Sequence, residues 1–303
     1  MKTTLVILAG GLSSRYGASK QTEGFGANGE VLADYAVYDA IKAGFNKIVY
    51  VIKEESKDDF EQKVAAKIRP HAQVELVFQK MEDLPAGFAV PKGRERPWGT
   101  CHALWAARHA VNEPFVVISA DDFYGAGVFK SLHDFLTSDV KNIQDLTFAM
   151  PGHKLKNTVS DHGSVSRAVC DIANGFVTEM REIRAIEKRP DQTFGHETPE
   201  GFEKLCPDTT VNMLAFAFTP AIFGEIEHGF NQFFGRFPDD LTAEYYLNSV
   251  VRNLIVDGKA TMRALPVADE DKWMGVTYPA DREIVQGAIQ NLTNQGKYPV
   301  NLF

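Results

Sequence analysis

The stretch LVILAGGLSSRYGASKQ, from Leu5 to Gln21, decides the fold of this chain. It begins with four apolar residues, two of them β-branched, as is typical of a strand buried on both faces of a parallel sheet. Paired glycines and then Arg15 and Lys20 follow this strand directly. Because glycine has no Cβ, the backbone N–H groups of such a turn can approach a ligand closely, and the two cations can hold phosphate oxygens. The stretch therefore predicts a strand that leads into an anion-binding turn.

The glycine turn has neither of two common phosphate-binding spacings. It lacks the GxxxxGK[ST] pattern of the P-loop and the GxGxxG pattern of dinucleotide-binding folds. From these residues alone a second interpretation stays open, in which the turn is a tight connection between strand and helix and its charges are solvated.

Apolar runs like the first one recur along the first half of the chain. They read TLVIL, KIVYVI, VELVF and FVVIS, and they alternate with segments of helical periodicity, for example from Leu32 to Ile41 before Gly44. This alternation predicts a parallel sheet covered by helices on both faces. In such sheets ligands bind at the carboxyl ends of the strands, which is where AGG and SADD fall.

The second half has a different pattern after Met150. Strand-like segments such as GSVSRAVCDI, GFVTEMREI and VNMLAFAF follow one another without helices between them, which predicts antiparallel strands. The segment Lys80–Gly99, with three prolines and three glycines, is predicted to be a long loop, and Lys188–Gly201 a surface excursion. From Leu241 to Gly258 the sequence has helical periodicity.

Composition and charge exclude several functional classes. With 303 residues, 44% of them hydrophobic, the chain can form one large core or two moderate ones. The net charge is −8, so we expect neither nucleic acid nor a membrane as a partner, and an anionic ligand must be held locally. The N-terminal apolar run is too short for a signal peptide, so we expect a cytoplasmic protein. Cys101, Cys170 and Cys206 have no paired spacing, so we expect buried thiols.

Four motifs in order resemble those of one family. LAGGLSSRYGASKQ resembles the nucleotidyltransferase signature LA[AG]GxGxRxxxxxPK, although its compact spacing from Arg15 to Lys20 is closer to that of guanylyl- and cytidylyltransferases. EVLADYAVYDAIKAGFNKIVYVI, WGTCHALWAA and VVISADDFYG are similar to KPLIDYVLEALxxAG, GTAxAL and VxxGDDLYG of the sugar-1-phosphate nucleotidyltransferases, also called nucleoside-diphosphate-sugar pyrophosphorylases. The resemblance implies an α/β fold, a Rossmann-like three-layer sandwich with a mainly parallel central sheet that antiparallel strands extend in the C-terminal half.

The resemblance also implies a reaction and its catalytic groups. A sugar 1-phosphate attacks the α-phosphorus of a nucleoside triphosphate, pyrophosphate leaves, and Mg²⁺ assists. Arg15 and Lys20 then hold phosphates, and Asp121 binds the metal. The family's second metal carboxylate falls in a segment that here reads LTAEYY, with alanine at the aspartate position, so Asp240 or Glu244 is the substitute that we expect.

Further binding residues follow from the same resemblance. The nucleotide is expected to contact Leu8, Ala9, Gly10, Gly11, Gln79, Gly99 and Thr100. The sugar phosphate is expected to contact Glu182, Arg184, Lys188 and Asn212, with Arg184 or Lys188 in place of a lysine that is Ile183 here. Asn212 has a structural alternative, a hydrogen bond at a strand end. We expect His102 to be a satisfied helix histidine rather than a catalyst.

These observations predict one arrangement of domains and leave several functions open. Residues 1–235 are predicted to form the catalytic domain, with a nucleotide-binding half to about residue 150 and a sugar-binding half after it, and residues 236–303 an extension packed on the same domain. UTP or dTTP is the favoured nucleotide. The alternatives are another phosphate acceptor, as in cytidylyl or guanylyl transfer, a binding module without catalysis, and a glycosyltransferase. The phenylalanines between residues 230 and 237 are expected to form core or a subunit contact, which leaves a homo-oligomer open.

Overall fold

A computed structural model describes residues 1–10 and 24–303 of the chain. The described strands are β1 (Thr4–Leu8), β2 (Lys47–Ile52), β3 (Gln73–Phe78), β4 (Phe115–Ser119), β5 (Asp122–Phe123), β6 (Thr147–Lys154), β7 (Val165–Ala173), β8 (Phe176–Lys188), β9 (Phe194–Thr198), β10 (Gly201–Leu205), β11 (Thr210–Asn212), β12 (Phe216–Phe218), β13 (Thr261–Pro266) and β14 (Met274–Gly275). The helices are α1 (Leu32–Ala43), α2 (Lys57–Phe60), α3 (Ala66–Ile68), α4 (Thr100–Ala106), α5 (Ala126–Ser138), α6 (Ile222–Arg236), α7 (Leu247–Val256) and α8 (Asp281–Asn294). A π-helical turn, Glu61–Ala65, joins α2 to α3.

Most of the strands form one mixed sheet. Its order is β10-β9-β8-β7-β11-β6-β12-β4-β1-β2-β3, and β13 pairs with both β6 and β8. The four strands predicted in the first half, β1 to β4, are parallel to one another where they pair. From β12 to β10 every neighbouring pair on this path is antiparallel. The predicted fold class, a parallel centre extended by antiparallel strands, is confirmed.

Helices cover both faces of the sheet because its central strands are apolar on both sides. In β1, Leu5 and Ile7 belong to a core that includes α1 and α5, whereas Val6 and Leu8 belong to a second core that includes α4, α6 and α7. This alternation explains why the strand is a continuous apolar run. The phenylalanines of α6 at positions 230, 233 and 234 are buried in the second core.

Four details of the second half differ from the sequence expectations. The segment Lys188–Gly201 is not an irregular excursion, because it contains β9 and begins the β9–β10 hairpin of the sheet. The predicted strand VNMLAFAF is divided into β11 and β12 at Leu214, whose φ is +53°. Helix α7 begins at Leu247 rather than near Leu241. Cys206 is exposed, whereas the other two cysteines are buried.

The C-terminal residues 236–303 contribute to the main sheet as well as to its helical cover. Strand β13 pairs in parallel with β6. Strand β14 pairs with β5, the short strand that follows β4 in the chain. Helix α8 and the following tail pack on α1 through a small apolar cluster that includes Tyr35, Ile289 and Tyr298. Within the described part of the chain, we find no helix that is long and apolar enough to cross a membrane.

The contact between α1 and the C-terminal tail makes stability depend on pH. Tyr298 donates a hydrogen bond of 2.7 Å to the buried carboxylate of Asp39, and burial raises the pKa of Asp39 to about 7. The native state therefore keeps a proton that the unfolded chain releases above its ordinary pKa of 3.8. The free energy of unfolding falls as pH rises from about 4 to about 7, by at most about 1.4 kcal/mol per pH unit for this group.

We expect Asp39→Asn to remove this penalty, because its side-chain oxygen still accepts from Tyr298 but does not ionise. Urea unfolding at pH 5 to 8 should show the variant gaining stability over the native chain with rising pH, by a few kcal/mol at pH 8. The control is Asp58→Asn, at an exposed position. A stability difference for Asp39→Asn that does not change with pH would contradict the assignment.

Candidate active site

Three predicted site residues lie at one edge of the sheet. Gly10 follows β1, Gln79 follows β3 and Asp121 follows β4, so all three leave the sheet at the carboxyl ends of parallel strands. The backbone N–H of Gln79 still donates to the carbonyl of Ile52 at the end of β2, at 2.9 Å. Because neighbouring strands lie about 4.8 Å apart and β1 is next to β4, the backbones of Gly10 and Asp121 lie about one strand spacing apart.

The side chain of Gln79 extends from β3 to Gly10. A Cβ at Gly10 would lie 2.9 Å from Oε1 of Gln79, so the amide lies directly beside this glycine. Its Nε2 atom lies 3.1 Å from Nδ1 of the buried His102 and 3.5 Å from the carbonyl oxygen of Gly99. The structure thus brings together three of the residues predicted for the nucleotide, and it adds His102 behind them.

Gly99 and Thr100 begin α4 against the segment before α7. The φ of Gly99 is +93°, and a Cβ there would lie 2.9 Å from the carbonyl oxygen of Tyr245, so glycine is required on both counts. The hydroxyl of Thr100 accepts a hydrogen bond of 2.9 Å from the N–H of Leu247. This hydroxyl therefore holds α7 in place.

The side chains of Leu8 and Ala9 point into the two cores and are buried. Any contact of these two residues with a nucleotide must therefore come from their backbone. Gly11, Arg15 and Lys20 lie outside the described residues, and their roles stay predictions.

The acidic pair Asp121 and Asp122 lies between β4 and β5. The hydroxyl of Ser119 donates to Oδ1 of Asp121, and Oη of Tyr124 lies 3.3 Å from Oδ2 of Asp122. Burial raises the pKa of Asp122 well above its usual range, and the charge of Asp121 acts in the same direction. A Cβ at Gly275 of the paired strand β14 would lie 2.7 Å from Oδ1 of Asp122, so the second carboxyl is packed against a backbone.

The pair does not cap the following helix. Helix α5 is capped from far along the chain by Asp271, whose Oδ1 accepts from the N–H of Gly127 at 3.0 Å. Asp121 lies at the carboxyl edge of β4, where a hard cation that keeps several waters and binds phosphate needs one or two carboxylates. Among the residues that the structure describes, no group of three or more His, Cys, Asp or Glu side chains is placed to hold a metal.

The two candidates for a second metal carboxylate have other described contacts. Oδ1 of Asp240 accepts three hydrogen bonds of 2.7 to 2.9 Å within its own loop, from Thr242 and Ala243. Glu244 lies beside Tyr246, where burial and this carboxylate raise the pKa of the tyrosine to about 12. No described contact joins either carboxylate to Asp121.

Four polar side chains meet where α7 begins beside β8. Nδ2 of Asn248 donates to Oε2 of Glu182 at 3.4 Å. Arg184 lies two residues after Glu182 on β8, and Tyr246 directly precedes α7. The structure therefore brings two of the predicted sugar residues, Glu182 and Arg184, to one place. It adds Tyr246 and Asn248, which sequence analysis missed because the helix was predicted to begin before them.

Lys188 lies away from this group. It is six residues further along β8 than Glu182, which corresponds to about 20 Å in an extended strand. Its Nζ forms an ion pair of 3.1 Å with Asp161. Of the two cations considered in place of the family's lysine, Arg184 is the one beside Glu182.

Asn212 has the contacts of the structural alternative. Its Nδ2 donates to the carbonyl of Ala215 at 2.9 Å, and its Oδ1 accepts from the N–H of Leu214 at 2.8 Å. The side chain is buried and holds the turn between β11 and β12. A role in sugar binding stays a prediction for this residue.

Arg167 of β7 is a buried cation that sequence analysis missed. Its guanidinium donates to the carbonyls of Thr158 and Ser166 and lies 5.1 Å from the ring centre of Trp273. Burial lowers its pKa to about 10, and Asp122 is the carboxylate that opposes this shift most. No described carboxylate lies within 4 Å of it. A single arginine in a strand gives no local signal of this placement.

The long loop Lys80–Gly99 is attached to the rest of the chain by Arg94. This guanidinium is buried, lies 3.6 Å from the ring centre of Trp98, and donates to four carbonyls, two in its own loop and two at Asp240 and Ala243. Arg96, two residues further on, is exposed. The basic residues of this loop are thus not equivalent, although their sequence context is similar.

A mixed sheet with an amide, glycines and an acidic pair at the carboxyl edge of its parallel strands is an arrangement of α/β proteins that bind ligands where their strands end. The family model described as Nucleotidyl transferase matches residues 4–227, so the chain belongs to that family. The resemblance found in the sequence is thereby confirmed. Among proteins with curated functions, none matches the chain significantly.

Solved structures with the same fold are similar over nearly the whole chain. The inositol-1-phosphate CTP transferase from T. maritima is 16% identical with a TM-score of 0.60, and 95% of this chain and 96% of that chain are covered. A UDP-glucose pyrophosphorylase complexed with UDP-glucose is 18% identical with a TM-score of 0.60, and 96% of this chain and 99% of that chain are covered. A protein from Bacillus anthracis assigned as a glucose-1-phosphate thymidylyltransferase, in complex with sucrose, is 14% identical with a TM-score of 0.62. The match covers 95% of this chain and 96% of that chain.

We expect Arg94→Met to lower the free energy of unfolding by about 2–4 kcal/mol, because it removes several charge-assisted hydrogen bonds and leaves buried carbonyls without donors. Arg96→Met is the matched control, with an expected change within about 0.5 kcal/mol. Urea unfolding measures both, and limited proteolysis should cut Lys80–Gly99 faster in the first variant. Equal effects of the two substitutions would contradict an anchoring role.

Proposed function

We propose that this chain transfers a nucleotidyl group from a nucleoside triphosphate to a sugar 1-phosphate, releasing pyrophosphate and forming a nucleotide sugar. The observation that carries the proposal is the position of Gly10, Gln79 and Asp121 at one carboxyl edge of the parallel strands. Membership of the nucleotidyl transferase family supports it, as do neighbours whose names include UDP-glucose pyrophosphorylase and glucose-1-phosphate thymidylyltransferase.

The three parts of the reaction fit different parts of this edge. The base lies at Gln79 and Gly99, beside β3 and α4. The α-phosphate lies near Asp121, which is one strand spacing from Gly10. The sugar phosphate approaches from β8, where Glu182 can accept hydrogen bonds from sugar hydroxyls and Arg184 supplies positive charge. In the proposal an oxygen of the sugar phosphate attacks the α-phosphorus opposite the bond to pyrophosphate, and that bond breaks as pyrophosphate leaves.

Positioning and charge neutralisation provide most of the catalysis in such a transfer, because the protein forms no covalent bond with the substrate. In the proposal Asp121 holds Mg²⁺, which when bound neutralises phosphate charge that develops as pyrophosphate leaves. Ser119 keeps the Asp121 carboxylate in one orientation through its hydroxyl. Arg15 and Lys20 are proposed to bind the pyrophosphate portion of the nucleotide.

UTP or dTTP and a hexose 1-phosphate are the substrates that we favour, and a cytoplasmic location is part of the proposal. One observation favours a second candidate of the same chemistry. The neighbour named inositol-1-phosphate CTP transferase matches as well as the others, so transfer of a cytidylyl group to a polyol phosphate is the alternative. A third candidate, a binding module without catalysis, is motivated by Ala243 and Ile183 at positions where the family has charged residues.

The test is pyrophosphate release from a panel of nucleoside triphosphates against sugar and polyol phosphates, with Mg²⁺ and with a chelator. We expect Asp121→Asn to lower kcat/KM by about 100-fold or more, because the variant keeps the volume but loses the charge that holds the metal. Thermal unfolding should change little, since the asparagine oxygen still accepts from Ser119.

The matched control for this variant is Asp134→Asn, on the exposed side of α5. It should keep full activity. Release that needs no metal, or an Asp121→Asn variant that keeps its activity, would contradict the assigned metal position. A native chain that binds nucleotides but releases no pyrophosphate with any acceptor would favour the binding module.

A further inference from the structure

We propose that a cavity between α6 and α7 binds a neutral hexose, and that its occupation strengthens nucleotide binding at the carboxyl edge of the sheet. The cavity has a volume of about 280 Å³, and its described lining includes none of Gly10, Gln79 and Asp121. Hexose binding is expected whatever reaction the chain performs, whereas the effect on nucleotides rests on the proposed function.

Helices α6 and α7 form the two long walls of this cavity. Before α6, the hydroxyl of Thr219 donates to the carbonyl of Asp145 at 2.7 Å. After α7, the N–H of Thr261 donates to the carbonyl of Leu146 at 3.0 Å. The start of α6 therefore lies near the end of α7, and the cavity is a groove bounded by the two helices.

Aromatic rings form the inner wall of the cavity. The rings of Phe233 and Tyr245 are stacked with their centres 5.1 Å apart, and both side chains are buried. A Cβ at Gly229 would overlap the hydroxyl oxygen of Tyr245, so glycine is required where this ring lies against α6. Phe237 is half-buried beside them. Flat apolar surfaces of this kind can pack against the C–H faces of a sugar ring.

Polar side chains surround this aromatic wall and make no described hydrogen bond. Within the described chain, no hydrogen bond or ion pair is found for six side chains of the lining: Glu225, Gln232, Arg236, Asn253, Asp257 and Lys259. Glu225 and Arg236 are eleven residues apart on α6, which corresponds to about 16 Å along the helix. Donors and acceptors are therefore distributed along the whole groove and are available to a ligand.

The chemistry of these side chains indicates a ligand rich in hydroxyl groups. Carboxylates can only accept hydrogen bonds, and lysine and arginine can only donate them, whereas a hydroxyl does both. Neighbouring hydroxyls of a hexose can thus donate to a carboxylate such as Asp257 and accept from a cation such as Lys259. The lining holds the carboxylates Glu225, Glu244 and Asp257 but only one lysine and one arginine. This balance of charge disfavours a phosphate.

The size of the cavity fits one sugar ring. Pockets for drug-sized ligands have volumes of about 300–1,000 Å³, and this cavity lies just below that range. A nucleotide sugar, with a base and two phosphates, is larger and would bring negative charge to the carboxylates. We therefore assign a neutral monosaccharide rather than a nucleotide or a phosphorylated sugar.

The segment Glu244–Tyr246 connects the cavity to the nucleotide site. Its side chains line the cavity, and its backbone is bonded to the start of α4. The N–H of Tyr245 donates to the carbonyl of Trp98 at 2.6 Å, and the carbonyl of Tyr245 accepts from the N–H of Cys101 at 2.9 Å. The two residues between these bonds, at positions 99 and 100, are expected to contact the nucleotide.

Occupation of the cavity should therefore favour nucleotide binding. A hexose that contacts Tyr245 and Tyr246 stabilises the conformation in which this segment holds the start of α4. A nucleotide that selects the same conformation then binds more tightly. The coupling must be reciprocal, so the nucleotide strengthens hexose binding by the same factor.

The first experiment is a calorimetric titration of the full chain with glucose, galactose and mannose, without nucleotide. We expect at least one hexose to bind, and its 6-phosphate to bind more weakly. Asn253→Leu and Gln232→Leu should each weaken hexose binding by about 10-fold, because each removes hydrogen-bonding groups from the groove. The matched control is Asn231→Leu, at an exposed position of α6 outside the lining, which should leave the Kd unchanged.

A variant of the proposed sugar site shows which of the two places the free hexose occupies. Glu182→Gln should leave the Kd of the hexose within about twofold of the native value, because Glu182 does not line the cavity. Loss of hexose binding in Glu182→Gln, together with full binding in Asn253→Leu, would overturn the assignment of the cavity.

The second experiment measures the Kd of UTP with Mg²⁺, with and without saturating hexose. We expect the hexose to lower this Kd by about fivefold or more, and UTP to lower the Kd of the hexose by the same factor. In Asn253→Leu, the same concentration of hexose should change the Kd of UTP much less. Asn231→Leu should behave as the native chain.

The outcomes separate this inference from the proposed function. Absence of binding by all three hexoses, or tighter binding of the 6-phosphate than of the hexose, would overturn the neutral-sugar site. Hexose binding that leaves the Kd of UTP unchanged would overturn the coupling. Hexose binding that depends on Asn253, in a chain that releases no pyrophosphate with any acceptor, would support the site and contradict the catalytic proposal.

Discussion

The candidate site depends on backbone hydrogen bonds that continue past the ends of the parallel strands. The N–H of Ala120 donates to the carbonyl of Leu8, at 3.2 Å, and that of Ala9 to Val51, at 2.8 Å. These bonds keep the chain extended for one or two residues beyond β1 and β4, so that glycine and carboxylate are delivered to the same edge. Side chains mounted directly on such a ladder are positioned more firmly than side chains on a free loop.

The polar groups of the long loop explain how the twenty residues of Lys80–Gly99, more than most ordered loops have, can pack against the sheet. Where the loop packs on the rest of the chain its carbonyls need partners, and buried side-chain donors supply them: Arg94, Trp98 and His102. The aromatic rings of α6 surround the same side chains, with Phe234 4.9 Å from the ring centre of Trp98. The phenylalanines near residue 230 therefore support Trp98 and His102 as part of the core.

Features of the fold and site that depend on neighbouring residues in the sequence could be predicted, whereas features that depend on residues far apart in the sequence could not. The strands β1 to β4 were predictable because burial on both faces requires a continuous apolar run, and Gly10 and Asp121 could be placed because they directly follow such runs. The β9–β10 hairpin was not predictable, because its polar residues give no alternating pattern. The cap of α5 by Asp271 joins residues 144 positions apart, and Arg94 has carbonyl partners 146 and 149 positions away. Contacts of this kind leave no local signal.

The charges at the carboxyl edge explain why phosphate binding there would require a cation. A triphosphate approaching β4 meets Asp121 and Asp122, whose mutual repulsion already contributes to the raised pKa of Asp122. The described cation that acts on this pair, Arg167, has donors committed to backbone carbonyls and is buried. Like charges at such short range are unfavourable in a partly desolvated site. In the proposed function, a divalent ion held by Asp121 would offset this repulsion, and Arg15 and Lys20 are the cations proposed to bind the phosphates in a chain whose net charge is −8.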